Sequence, residues 1–116
     1  MPENLSITHE RDGALAVVCV QGRIDSATSS QFETRLNTVL ADPSEGLIID
    51  MSELSYMSSA GLRVLLVIAK RASAEKRRLL LCNLTPNIQE VFDISGFSKI
   101  FDISNSRAEA EVRLRS

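Results

Sequence analysis

The sequence contains few of the side chains on which catalysis and metal binding depend. Among its 116 residues there is one histidine, His9, and there are two cysteines, Cys19 and Cys82. Neither cysteine has a second Cys or His at the spacing of metal ligands, and no glycine-rich phosphate loop occurs. No nucleophile or carboxylate motif accompanies His9, which we place on a solvated edge strand. The sequence therefore predicts a protein that is not an enzyme and that holds no metal and no cofactor.

The sequence also lacks a long apolar segment and a strong excess of one charge. No apolar run approaches the roughly 18 residues that cross a membrane, and residues 1–4 do not have the basic-then-apolar pattern of a signal peptide. The formal net charge of −2 gives no electrostatic reason to expect nucleic acid or an anionic membrane as a partner. We therefore expect a cytoplasmic protein that binds another protein and does not insert into a membrane. Because Cys19 and Cys82 each lie inside an apolar, strand-like run, we expect both to be buried, reduced thiols.

The order of the apolar patterns predicts the fold class. A hydrophobic fraction of 44% and a charged fraction of 24% are typical of globular proteins, and the length suits one domain over residues 1–116. Strand-like runs alternate with helix-like periodicities after an opening hairpin, which indicates α/β architecture. We predict a single domain with a mixed β-sheet of about four or five strands and about four helices packed mainly on one face.

Apolar runs bounded by turn residues predict the strands, and a periodicity of 3.6 residues predicts the helices. The predicted strands are Leu5–Glu10, Ala14–Gln21, Leu47–Ile49, Leu79–Cys82 and Ile100–Ile103. The predicted helices run from near Ala27 to Ala41 after a cap at Asp25 or Ser26, from Ser58 or Ser59 to about Lys70, from Thr85–Pro86 to Ser95–Gly96, and from Ser104 or Ser106 to Leu114. The third strand is expected to end near Asp50 or Met51, which leaves a polar loop between Asp50 and Ser59.

That loop leads into a serine pair at the start of a helix. Ser58 and Ser59 directly precede an apolar periodicity at Leu62, Leu65 and Leu66. Serine is a preferred N-cap, so one interpretation is that either hydroxyl only caps the helix. The first turn of a helix also has free N–H groups and the positive end of the helix dipole, so a hydroxyl there lies where an anion is tolerated. Loops at the carboxyl ends of strands commonly carry function in α/β proteins, which makes this loop the candidate site.

Two motifs give the sequence a family resemblance. The segment Asp50–Leu62, DMSELSYMSSAGL, resembles the signature of the STAS domain of bacterial anti-sigma factor antagonists, and Gly22–Asp25, GRID, followed by a helix, resembles a second marker of that family. In that family a serine of the signature is phosphorylated by the anti-sigma factor, which is itself a serine kinase. The unphosphorylated form binds this kinase and so releases a sigma factor, and a phosphatase resets the switch.

The resemblance implies specific site residues. Alignment on the following Gly61–Leu62 makes Ser59 the phosphorylation site. Ser58 stands where the family often has an Asp before the acceptor, so this sequence offers two adjacent serines and Ser58 is the alternative site. The implied partner-binding residues surround the acceptor: Asp25, Met57, Ser58, Ser59, Leu62 and Arg63. Asp25 is also interpretable as a helix cap, and Met57 and Leu62 as plain core residues.

The implied function is that of an anti-sigma factor antagonist that binds an anti-sigma factor serine kinase and is switched off by phosphate. One alternative is a non-phosphorylated STAS subunit of a lipid-transport or signalling assembly. Another is a sensor of a small ligand or nucleotide, which a ligand-dependent shift in melting temperature would reveal.

Overall fold

A computed structural model describes residues 5–115, which form a five-stranded mixed sheet and four α-helices. The strands are β1 (Leu5–Asp12), β2 (Leu15–Ile24), β3 (Gly46–Met57), β4 (Arg78–Cys82) and β5 (Asp102–Ser104). The helices are α1 (Ser29–Ala41), α2 (Ser59–Ala74), α3 (Pro86–Ser95) and α4 (Arg107–Arg115), and a short 3₁₀ turn covers Phe97–Lys99. The predicted α/β class with a mixed sheet is confirmed.

The strands lie in the order β1-β2-β3-β4-β5. A tight turn at Gly13, whose φ of 63° suits glycine, makes β1 antiparallel to β2. The other strands are each parallel to the strand before them in the chain. Each parallel connection steps to the next strand in the same direction, and such crossovers are right-handed, so α1, α2 and α3 lie on one face of the sheet. Since α4 packs on the other face, the helices lie mainly on one face, as predicted.

The sheet has a hydrophobic core on each of its faces. On the larger side, the fully buried residues of α1, α2 and α3 include Phe32, Leu36, Leu65, Ile68 and Phe92. On the smaller side, α4 contributes Ala110 and Leu114, which cover Leu15, Val17, Ile48, Leu80 and Cys82. Because β3 lies between the two cores, Leu47–Ile49 is buried on both faces, which explains its continuous apolar run.

The end predicted for the third strand is wrong. β4 accompanies β3 only as far as Asp50, whereas β2 stays paired with it to Met57, where the sequence predicts a loop. The pairing with β2 has irregularities at 19–21 and 22–23, and such bulges break the two-residue alternation of a strand. The buried residues of the extension are consequently three apart: Met51, Leu54 and Met57. A search for alternating apolar residues therefore misses this part of the strand.

The last strand is also displaced from its predicted position. It covers Asp102–Ser104 instead of Ile100–Ile103, because the 3₁₀ turn at Phe97–Lys99 occupies the segment before it. Phe97 and Phe101 pack against Phe92 of α3, with ring centroids 6.4 and 6.0 Å from that ring. Ile100, in contrast, points outward with 59% of its surface exposed.

The two cysteines lie in one row across the sheet, with an acidic residue between them. Asp50 on β3 is in register with Cys19 on β2 and with Cys82 on β4, so the two thiols are two strands, about 10 Å, apart. A disulfide needs Cα atoms closer than about 7 Å, and both thiols are free. Cys82 is buried as predicted, but Cys19 is only half-buried. Burial, followed by the negative charge of Asp50, raises the pKa of Cys82 to about 12 and also raises the pKa of Cys19.

Candidate functional site

The paired extension of β2 and β3 carries the chain directly to the serine pair. The backbone N–H of Ser58 donates to the carbonyl oxygen of Ile24 over 2.9 Å, which ties the start of α2 to the end of β2. That carbonyl belongs to the peptide bond between Ile24 and Asp25. The two sequence motifs, GRID and the serine segment, therefore meet at one point at the carboxyl ends of β2 and β3.

The two serines have different surroundings. Ser58 is the N-cap of α2, with φ of −88° and ψ of 175°, and its carbonyl oxygen accepts the N–H of Leu62 over 3.2 Å. Its Oγ is buried and, within residues 5–115, makes neither a capping bond nor any other hydrogen bond. Ser59 is the first residue of α2 and is exposed. In this conformation Ser59 therefore presents the hydroxyl that another protein can reach.

A glycine in the first turn of α2 allows the helix to lie close against β2 and β3. A Cβ atom built on Gly61 would lie 2.7 Å from Cγ2 of Ile24 and 2.8 Å from Cγ of Met57, closer than carbon atoms normally approach. Both neighbours are buried, with exposed fractions of 0% and 2%. The position of the serine pair thus depends on the absence of a side chain at residue 61.

Asp25 builds the turn between β2 and α1. Its Oδ1 accepts the backbone N–H groups of Ala27 and Thr28 over 2.9 and 3.2 Å. Thr28 is buried, and its Oγ1 donates to the carbonyl oxygen of Arg23 and accepts the N–H of Asp25, both over 2.9 Å. The helix cap is therefore Thr28, and the prediction that Asp25 or Ser26 caps a helix starting near Ala27 is wrong. Asp25 instead holds the turn beside Ser58 and keeps part of its surface exposed.

The remaining predicted contact residues separate into two groups. Met57 and Leu62 are 2% and 6% exposed and belong to the larger core, so the core interpretation is correct for both. Their burial leaves almost no side-chain surface for a partner, and they support the serine pair from beneath. Arg63 is exposed on α2 and has no ion pair or hydrogen bond from its side chain to any described residue.

The sequence reasoning missed a stacked pair beside the site. The guanidinium of Arg23 lies 4.4 Å from the centre of the Tyr56 ring, and Tyr56 is 41% exposed. Ser55 Oγ donates to the carbonyl oxygen of Gly22 over 2.9 Å on the same pair of strands. Arg23 and Tyr56 are opposite each other only because β3 continues beyond Asp50 with a shifted register. A sequence signal for this pair would require the bulges to be known first.

Two features bear on other classes of function. His9 is exposed on β1, with Nδ1 3.2 Å from a guanidinium nitrogen of Arg35, far along the sheet from the serine pair. Within residues 5–115, no helix combines the length and the apolar character that crossing a membrane requires.

The fold and the site place the chain in one class of small α/β domains. A family model described as "STAS domain" matches residues 6–110, and the chain belongs to this family. The resemblance inferred from the two motifs is therefore confirmed.

Particular relatives carry the comparison further. The chain is 36% identical to BtrV of Bordetella bronchiseptica, a candidate anti-sigma factor antagonist, over 97% of both chains. It is 33% identical to the anti-sigma-B factor antagonist of Listeria monocytogenes, over 91% of this chain and 94% of that protein. Its fold is that of SpoIIAA, an anti-sigma factor antagonist solved in unphosphorylated form, with a TM-score of 0.80, 23% identity and coverage of 95% and 96%. SpoIIAA of Bacillus has also been solved in phosphorylated form, and that structure superposes with a TM-score of 0.70, 22% identity and coverage of 94% and 99%.

Proposed function

We propose that this protein is an anti-sigma factor antagonist whose unphosphorylated form binds an anti-sigma factor with serine kinase activity. Binding releases a sigma factor, and phosphorylation of Ser59 ends it. The observation that carries this proposal is the exposure of Ser59 at the first residue of α2, next to the Asp25 turn. Two relatives above 30% identity bear the name of anti-sigma factor antagonist, and SpoIIAA occurs in phosphorylated form.

In this proposal the protein is the substrate of the kinase and is not itself an enzyme. Ser59 Oγ attacks the terminal phosphorus of the ATP held by the kinase, a bond forms between Oγ and phosphorus, and ADP leaves. The hydroxyl proton passes to a base of the kinase. A phosphatase restores the hydroxyl by hydrolysis. We place this cycle in the cytoplasm, without direct binding to nucleic acid and without membrane insertion.

The proposed switch acts on the interface and leaves the fold intact. A phosphoserine carries about −1.5 to −2 charges near neutral pH, and the positive end of the α2 dipole is a favourable place for them. In the complex, however, a neutral hydroxyl becomes a dianion that must be paired or expelled. A loss of roughly 3 kcal/mol at the interface weakens association more than a hundredfold.

The test begins with mass spectrometry of the protein isolated from its own cells. Trypsin cleaves after Arg35 and Arg63, so one peptide, Leu36–Arg63, contains both serines and permits the site to be localised. We expect partial phosphate on Ser59. We expect a Ser59→Ala variant to retain its kinase, which co-purification identifies, and a Ser59→Asp variant to lose it with an unchanged circular dichroism spectrum.

Ser58→Ala is the matched control, because its buried Oγ makes no hydrogen bond within the described chain. This variant should still be phosphorylated at residue 59. Absence of phosphate under every growth condition, with Ser59→Asp binding its partner as the parent does, would refute the switch. It would favour a constitutive STAS subunit of a transport or signalling assembly.

A further inference from the structure

Arg63 lies one helical turn beyond Ser59 and has no ion-pair partner among the residues that the structure describes. It is exposed, and none of the hydrogen bonds or ion pairs among residues 5–115 involves its side chain. The 16 residues of α2 include no Asp or Glu, so no acid of the same helix competes for its guanidinium. The arginine later in α2, Arg71, is already bound to Glu75 and Asn37.

Helix geometry directs Arg63 toward Ser59. Residues four apart are separated by about 6 Å along the axis and lie on the same face. Cα–Cβ bonds of a helix tilt toward its N-terminus, so the side chain of Arg63 leans toward residue 59. A pair with the acid four residues before the base is also the more favourable order. Phosphate on Ser59 would complete such a pair, and a guanidinium binds phosphate through two parallel hydrogen bonds.

We propose that Arg63 binds the phosphate of phosphorylated Ser59 within α2, and that the unphosphorylated protein offers the same guanidinium to an acidic group of its partner. Phosphorylation then adds negative charge at residue 59 and removes a positive contact at residue 63. This inference rests on the proposed function for the presence of phosphate and of a kinase partner. It adds the residue that responds to the modification and the charge of the partner surface.

Other charged groups near the site are less suited to this role. The Arg23 guanidinium is stacked on Tyr56. The Asp25 carboxylate accepts backbone N–H groups of its own turn and would repel a phosphate. Lys70 is on the same face of α2 and is also without an ion pair in residues 5–115, but it is about 16 Å from Ser59 along the helix. Lys70 is therefore the matched control for the loss of a cation from this face.

The direct test uses the full chain with phosphoserine incorporated at residue 59 during translation. Phosphorus NMR follows the second ionisation of the phosphate with pH in the parent, in Arg63→Gln and in Lys70→Gln. Without the guanidinium the phosphate dianion loses a favourable ion pair, so we expect the midpoint of the titration to lie about 0.3 pH unit higher in Arg63→Gln. A shift of this size corresponds to the free energy of an exposed ion pair between residues four apart on a helix. Lys70→Gln should titrate as the parent does, and Arg63→Lys should retain at least part of the effect. Equal midpoints in the parent and in Arg63→Gln would overturn the proposal.

A second measurement separates this inference from the proposed function. The affinity of the kinase recovered in the Ser59 experiment is measured for chains with serine and with phosphoserine at residue 59. We expect Arg63→Gln to weaken binding of the unphosphorylated chain about tenfold and to shrink the effect of phosphate by a similar factor. Lys70→Gln should leave the effect of phosphate unchanged. If phosphate weakens kinase binding as much in Arg63→Gln as in the parent, the role of Arg63 is refuted and the proposed switch is not. If phosphate does not weaken kinase binding in the parent, the proposed switch itself is refuted.

Discussion

Replacing Gly61 by Ala tests whether the start of α2 depends on close packing. In an exposed helix this substitution stabilises by about 1 kcal/mol, because glycine is a poor helix former. Here the added Cβ would lie 2.7 Å from Cγ2 of Ile24 and 2.8 Å from Cγ of Met57. Overpacking of a core typically costs about 1–3 kcal/mol, so the net result should be a destabilisation of about 1 kcal/mol.

The two contacts differ in how far they can yield. Met57 is unbranched and can change rotamer, whereas Ile24 is β-branched and therefore restricted at χ1. The strain should therefore come mainly from Cγ2 of Ile24. Displacing α2 to relieve it would lengthen the 2.9 Å bond from Ser58 N–H to the Ile24 carbonyl, which joins the two halves of the site.

Urea unfolding followed by circular dichroism measures the free energy of unfolding of each variant. The substitution is made in the parent, in Ile24→Val and in Ile24→Ala. Valine keeps a methyl at the Cγ2 position, so the cost of Gly61→Ala should persist in Ile24→Val. Alanine removes that methyl, so in Ile24→Ala the substitution should become neutral or stabilising. The packing argument is wrong if Gly61→Ala stabilises the parent by the amount expected of an exposed helix.

Two further predictions concern the turn beside the site and the central row of thiols. Thr28→Val should lower the free energy of unfolding, measured by urea titration, by about 1–3 kcal/mol, because the Asp25 N–H and the Arg23 carbonyl lose the buried hydroxyl to which they bond. A change below about 0.5 kcal/mol, which is usual for surface substitutions, would contradict this. The pKa of the Cys82 thiol is raised to about 12 in the folded protein, against 9.0 in the unfolded chain, so the unfolded chain loses this proton first as the pH rises. The contribution of Cys82 to the free energy of unfolding is therefore constant below pH 9 and falls above it. Between pH 9 and 11 the free energy of unfolding should fall less steeply with pH in Cys82→Ala than in the parent, by up to about 1.4 kcal/mol per pH unit. Equal pH dependence in the two proteins would contradict the raised pKa of Cys82.

The parts of the fold that follow from local patterns could be predicted from the sequence. The hairpin at Gly13, the doubly buried run Leu47–Ile49 and the α3 start at Thr85–Pro86 each have a local cause that the residues reveal. The extension of β3 to Met57 has no such local cause, since its register depends on bulges against β2. What the sequence describes as a polar loop is therefore a strand that carries the serine pair beyond the end of β4.

The same distinction applies to the site. Motif alignment gave both serines but no basis in physical chemistry for preferring one of them. The structure distinguishes them by burial, since Ser58 Oγ is enclosed and Ser59 is exposed. The motifs also implicated Met57 and Leu62 as contacts, although their burial gives them a supporting place. Burial at the start of a helix depends on what packs against it, and here that includes Ile24, at the end of a strand that is far away in the sequence. No local sequence pattern reveals such a contact.

The separation of roles between the two serines explains how a charge could be added here without loss of the fold. The groups that hold the start of α2 in place are the Ser58 N–H bond to Ile24 and the close approach at Gly61, and neither involves the side chain of Ser59. A phosphate on Ser59 would therefore enter solvent from a helix end whose backbone is already fixed, and the dipole of α2 would favour it. Were Ser58 the acceptor instead, its buried Oγ would have to leave its enclosure before it could accept a phosphate, and the contacts at the end of β2 would open. A local electrostatic switch is thus consistent with phosphorylation of Ser59, whereas modification of Ser58 would predict a measurable change in the stability and spectrum of the domain.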